Sequence, residues 1–197
     1  AALGEETVLQ KHRASVRAAL DRVHNMAGRA RFLLGHNLLG HDLPMIEARF
    51  PQSPLLRMPV VDTLYLSPLA FPENPYHRLV KDYKLVRDSL NDPLADARLA
   101  AALFSDQWEA LTDAEIRESG RLSFYHHAFS GGEGYRGIGQ TLEAMGAASV
   151  ERSEAVDIFQ GLSRGRVCIR ALRETVPGCL EDPEQRVSLA YVLAWIG

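Results

Sequence analysis

The chain has 197 residues, of which 46% are hydrophobic, 24% charged and 8% aromatic, with Gly 15 and Pro 10. That composition excludes collagen-like, low-complexity and wholly disordered chains, and the length is enough to bury a core. With 22 Lys+Arg against 25 Asp+Glu the formal charge is −3, so a nucleic-acid partner has to be met by a local patch rather than by overall charge.

Apolar residues at Val8, Val16, Ala19, Leu20, Val23 and Met26 recur near the helical period and predict a helix over residues 5–27. Arg31-Phe32-Leu33-Leu34-Gly35 is a short apolar run that reads as a buried strand, and residues 36–40 read as a turn. Asp42-Leu43-Pro44 supplies a capping acid and a first-turn proline for a helix through Met45, Ile46 and Phe50, ended by Pro51. Met58 to Leu64 reads as a second buried strand, and a helix between two apolar strands is the signature of a parallel sheet. Three prolines between Ser67 and Pro75 predict loop, and Leu79 to Val86 a short helix. Asn91-Asp92-Pro93 opens a helix from Leu94 to Phe104, with Ala97, Ala100 and Ala101 as small contact residues. Beyond Ser105 the pattern is mostly helical, broken at 130–134 and at Pro177-Gly178. A soft boundary near Ser105 to Trp108 separates an α/β portion, residues 1–104, from a helix-rich extension, residues 105–197. A start without Met and an end inside an apolar helical run read as a piece cut from a larger protein.

A strand that ends in a polar turn and hands an acid to a helix start puts Asp42 at the carboxyl edge of a parallel sheet, where open α/β sheets bind ligands. Asp42 can serve there as a helix cap or as a metal ligand. A second acid, Asp96, lies one turn into a later helix and is followed by small Ala97, which lets that helix lie close to the sheet. Two carboxylates so placed can share divalent cations, which prefer hard oxygen donors. Arg78, Lys81, Lys84 and Arg87, interleaved with Tyr76 and Tyr83, form a basic run able to neutralise phosphates or simply to face solvent. His36 and His41 flank the turn without a third zinc ligand. His126-His127 beside Tyr125 has no partner in the pattern, the glycine-rich stretch 130–139 lacks Gly-Lys-Ser/Thr and reads as loop, and Cys168 reads as core. Two cysteines are too few for a disulfide framework, so the expected compartment is the reducing cytoplasm. No apolar run approaches the roughly 18 residues of a membrane span.

Gly35-His36-Asn37 followed by Asp42, then Val60-Val61-Asp62-Thr63-Leu64, then Leu94-Ala95-Asp96-Ala97-Arg98 resemble the second half of a DEDD-type 3′–5′ exonuclease domain, over residues 5–104. This is the superfamily of ribonuclease T and of the proofreading subunit of bacterial DNA polymerase III. The resemblance implies a partial RNase H-like α/β fold, here a parallel strand pair with helices, followed by the helix-rich extension. It also implies two Mg²⁺ or Mn²⁺ ions held by four carboxylates, one activating water and the other stabilising the leaving oxygen. Asp42 and Asp96 stand at the second and third ligand positions, and His36 and Asn37 shape the turn beside the substrate, with Arg78 and Lys81 nearby for phosphates.

Two departures qualify the match. The family's first motif, Asp-x-Glu on a strand, is absent; the only such triplets are Asp113-Ala114-Glu115 and Asp182-Pro183-Glu184, both downstream. Asn91 occupies the position of the family's general-base His, and an amide cannot take the proton of the attacking water, a contribution worth about 10² to 10⁴ in rate. His77 meets the same spacing to Asp82, but no Asp-Ala helix follows; it reads as a surface His or as a base carried on a loop. Two carboxylates also balance only half the charge of two divalent ions, so the chain alone should hold metal weakly. The stretch from Pro72 to Phe104 with its helical extension is similar to the exonuclease region fused ahead of a RecQ-like helicase in some bacteria. The expected function is thus metal-dependent exonuclease action on DNA or RNA 3′ ends as part of a larger protein, with DNA favoured. The alternatives are a catalytically weak nucleic-acid-binding or regulatory module and a helical interaction scaffold.

Overall fold

A computed structural model describes residues 2–3, 6–8, 15–74, 77 and 93–197. β1 (Ala2–Leu3) and β2 (Glu6–Thr7) pair antiparallel, so of the helix expected over 5–27 the described residues form α1 (Val16–Ala27). Its start is set by Ser15, whose side chain accepts a hydrogen bond from the Ala18 N–H, a cap that apolar spacing does not mark.

β3 (Leu33–Gly35) and β4 (Val60–Asp62) form a parallel pair in which Leu33, Leu34 and Gly35 lie opposite Val60, Val61 and Asp62. Every residue of β4 is buried, as expected of a parallel strand covered on both faces. Between the two strands run α2 (Leu43–Arg49), with Pro44 in its first turn, and a 3₁₀ turn at Pro54–Arg57. α3 (Thr63–Ala70) follows β4 directly and contains Pro68, so the loop expected from Ser67 begins only after Ala70. Leu66 and Leu69 are buried, and their packing outweighs the one hydrogen bond that Pro68 cannot donate.

α4 (Pro93–Arg117) continues well past Phe104, where the sequence suggested an end. Ala100, Gln107 and Leu111 are its buried positions, and this inner face carries the helix along α3. The boundary expected near Ser105 to Trp108 therefore falls inside a continuous helix. α5 (Arg121–Phe129), α6 (Arg136–Ala144), α7 (Arg152–Leu162), α8 (Ile169–Cys179) and α9 (Pro183–Ile196) complete a mostly helical molecule around a small parallel sheet. One core takes residues from both expected portions: Val61, Leu66 and Leu69 pack with Leu111, Phe124, Ile138 and Leu193. No helix among the described residues is long and apolar enough to cross a membrane.

Three smaller expectations change. The glycine-rich stretch is not loop throughout, because a 3₁₀ turn at Glu133–Tyr135 leads straight into α6. Gly137 explains the composition: a Cβ there would run into the backbone of Val60, so glycine is what lets α6 lie against β4. Cys168 is exposed at the head of α8, whose buried residues are Leu172 and Val176; hydrogen bonds from the Ala171 and Arg170 amides hold its thiol below the usual range. The two histidines of α5 are partnered, His126 Nε2 with Glu143 Oε1 at 3.0 Å and His127 Nδ1 with the Val150 carbonyl at 2.9 Å.

Candidate functional site at the carboxyl edge of the strand pair

Asp62, the last residue of β4, is fully buried. Its Oδ1 accepts from the Asn37 N–H at 2.7 Å and the Leu64 N–H at 3.0 Å, and its Oδ2 from the Leu39 N–H at 2.9 Å. A single carboxylate thus caps α3 and clamps the segment leaving β3, through charge-assisted bonds that are stronger than neutral ones. The clamped segment is not a simple turn. Asn37 takes a left-handed conformation, φ 63°, and Leu38–Asp42 forms one turn of π-helix. Asparagine tolerates that conformation better than most side chains.

Thr63 ties the two strand ends together. Its Oγ1 donates to the Gly35 carbonyl at 3.2 Å and lies 2.9 Å from His36 Nδ1. With the hydroxyl proton on the Gly35 carbonyl, His36 Nδ1 donates to Thr63; in the other tautomer the hydroxyl donates to Nδ1 instead. Burial lowers the His36 pKa and the Asp62 charge only partly opposes this, so the ring is neutral at pH 7. From α4, Gln107 Nε2 donates to the Thr63 carbonyl and to Ser67 Oγ, both at 2.8 Å, fixing the start of α3.

The expected site residues fall into three groups. His36 and Asn37 are drawn together with Asp62 and Thr63 at the strand ends. Asp42 closes the π-turn and is exposed, lining a cleft of about 280 Å³ with His41, Met45 and Arg49. It stands at the cap position of α2 but makes no capping bond. Its own backbone is helical, φ −72° and ψ −44°, whereas a capping side chain needs an extended backbone to reach the first amides. Asp96 is half-buried in the first turn of α4, a helix that packs on β3. Asn91, Arg78 and Lys81, together with Lys84, Arg87 and the helix expected over Leu79 to Val86, lie outside the described residues. His77 is half-buried: it lines an apolar cleft with Pro68, Tyr191 and Trp195, its Nδ1 has no hydrogen-bond partner among the described residues, and burial lowers its pKa.

Among the described residues no group of three or more His, Cys, Asp or Glu side chains could hold a metal ion, and two divalent ions require more negative charge than Asp42 and Asp96 carry. The residues that organise this edge, Asp62, Thr63 and Gln107, were not among the expected site residues. A strand closing on Asp-Thr at a helix start signals the first two; no local pattern marks Gln107. Compared with family models, with curated proteins and with solved structures, the chain matches none.

Proposed function

We propose that this chain carries part of a 3′–5′ exonuclease domain acting on nucleic-acid ends, DNA in the first place. One observation carries the reading. A parallel β3–β4 pair hands its carboxyl edge to a clamped loop that ends in Asp42, while α4, with Asp96 in its first turn, packs on β3. That is the edge at which open α/β sheets take ligands. In this reading Asp42 and Asp96 face Mg²⁺ or Mn²⁺ in company with acids supplied from outside the described residues. His36 and Asn37 shape the turn against the substrate, and Arg78 and Lys81 meet phosphates. Asn91 at the position of the family's base makes the reaction slow.

A second reading, a module of a helicase-type protein that binds nucleic acid without hydrolysing it, is favoured by the lack of a three-ligand group among the described residues. The full-length protein, incubated with Mg²⁺ or Mn²⁺ and a labelled oligonucleotide, separates the two. Stepwise shortening from the 3′ end that disappears in the Asp42→Ala, Asp96→Ala double variant supports the exonuclease. Salt-sensitive binding with no shortening above that variant rejects it in favour of the binding module.

A further inference from the structure

At the opposite, amino end of the strand pair, a second cleft of about 480 Å³ opens between the segments leading into β3 and β4 and the helices α4 and α6. We propose that it is a nucleotide-binding cleft, taking a nucleobase against its exposed aromatic surface and a phosphate at its mouth. The volume falls in the range of small-molecule sites, which combine apolar walls with a few placed polar groups. Phe32, Phe104 and Trp108 pack on one another in series along it, with ring centroids 6.4 Å apart and planes tilted by 56° for Phe32 and Phe104, and 6.1 Å apart edge-to-face for Phe104 and Trp108. Phe32 stays 37% exposed. Exposed aromatic surface of this kind is what a base covers by stacking, and it accepts any base because each has a π-face.

The polar groups narrow the ligand. Among the described residues Arg31 is the only charged side chain in the lining, and it is exposed, so the cleft complements an anion. The Gln140 amide offers both a donor and an acceptor, which suits the edge of a base. Thr141 is already committed, its hydroxyl donating to the Gly137 carbonyl at 2.9 Å, which leaves Gln140 and Arg31 to read the ligand. An aromatic surface with one cation and one amide beside it presents the three groups that a nucleotide's base face, base edge and phosphate each meet. It stands at the strand end opposite Asp62 and shares no residue with the cleft that Asp42 lines, so it does not rest on the exonuclease reading.

Trp195→Phe leaves Trp108 as the sole tryptophan of the two in the chain, and Trp195 is 75% exposed, so the replacement disturbs little packing. In that background AMP should quench Trp108 fluorescence saturably while ribose 5-phosphate does not. Phe32→Ala should weaken AMP roughly five- to hundredfold, the span of one stacked base. Arg31→Ala, at an exposed position, should erase the preference for AMP over adenosine. A hexa-adenylate binding more tightly than AMP identifies a strand as the source of the nucleotide; equal affinity identifies the free nucleotide. The Asp42→Ala, Asp96→Ala variant should bind AMP unchanged, which separates nucleotide binding in this cleft from hydrolysis at the carboxyl edge. The proposal is overturned by a response to ribose 5-phosphate equal to that of AMP, or by AMP affinity that survives both Phe32→Ala and Arg31→Ala with helical circular dichroism intact. N-acetyl-tryptophanamide binding as tightly as AMP also overturns it, since the cleft would then accept any ring.

Discussion

Asp62 joins three backbone amides from two segments that lie far apart in the chain, and it does so without contact with solvent. Asp62→Ala leaves those amides without their acceptor and should cost about 2–4 kcal/mol of stability, read from the urea midpoint. Asp62→Asn should lose nearly as much, because the carboxamide must turn an NH₂ toward one of the N–H donors. A loss below about 1 kcal/mol in both variants would show that the loop holds itself without the clamp. His36 adds a pH dependence of known sign. Its folded pKa lies below the ordinary 6.5, so between the two values the unfolded chain binds more protons than the folded one. Stability should therefore be insensitive to this group above about pH 7, decline as the pH falls below 6.5, and level off beneath the folded pKa. Comparing unfolding curves of wild type and His36→Gln between about pH 7.5 and pH 4.5, values chosen to bracket the His range, isolates the effect. A difference that is flat with pH would remove His36 from the account.

Among the elements, α6 and β4 approach closely, which a glycine-rich stretch read as loop does not suggest. The backbone of Gly137 rests on the Val60 peptide with no room for a methyl group. Gly137→Ala should destabilise the protein by about 1–3 kcal/mol, the usual cost of overpacking, although alanine favours an isolated helix by about 1 kcal/mol. Thermal unfolding of the variant decides which effect wins: a raised midpoint would mean that α6 can move away from β4 freely. α4 makes the complementary point. Its apolar pattern was legible as far as Phe104, but its continuation depends on Gln107 reaching the Thr63 carbonyl and Ser67, a contact between segments far apart in sequence that no local signal carries.

At the scale of the whole molecule, the strand pair and the helical portion share one core, which should make them unfold as one cooperative unit. Phe124 is fully buried against Phe159, with ring centroids 5.2 Å apart. Phe124→Ala should cost about 3–5 kcal/mol. The loss should appear as one shifted transition, coincident by tryptophan fluorescence and far-ultraviolet circular dichroism. Two separated transitions would restore a boundary near Ser105.

Sequence alone determined the parallel strand pair, the helix between its strands and the helical character of the second half, because each rests on a period or a breaker within a few residues: the run at Leu33, the run at Val60, Pro44 and Pro51. It also singled out the His36-Asn37 turn and the acids at positions 42 and 96. The tertiary structure alone decided which acid organises the carboxyl edge, that Asp42 leaves its cap position unused, that Gly137 serves helix packing rather than a loop, and that α4 runs on through the expected boundary. Each of these depends on what a distant segment presents to the residue, a donor, a carbonyl or a buried face. Such partners are set by how the elements pack, which no window of neighbouring residues contains.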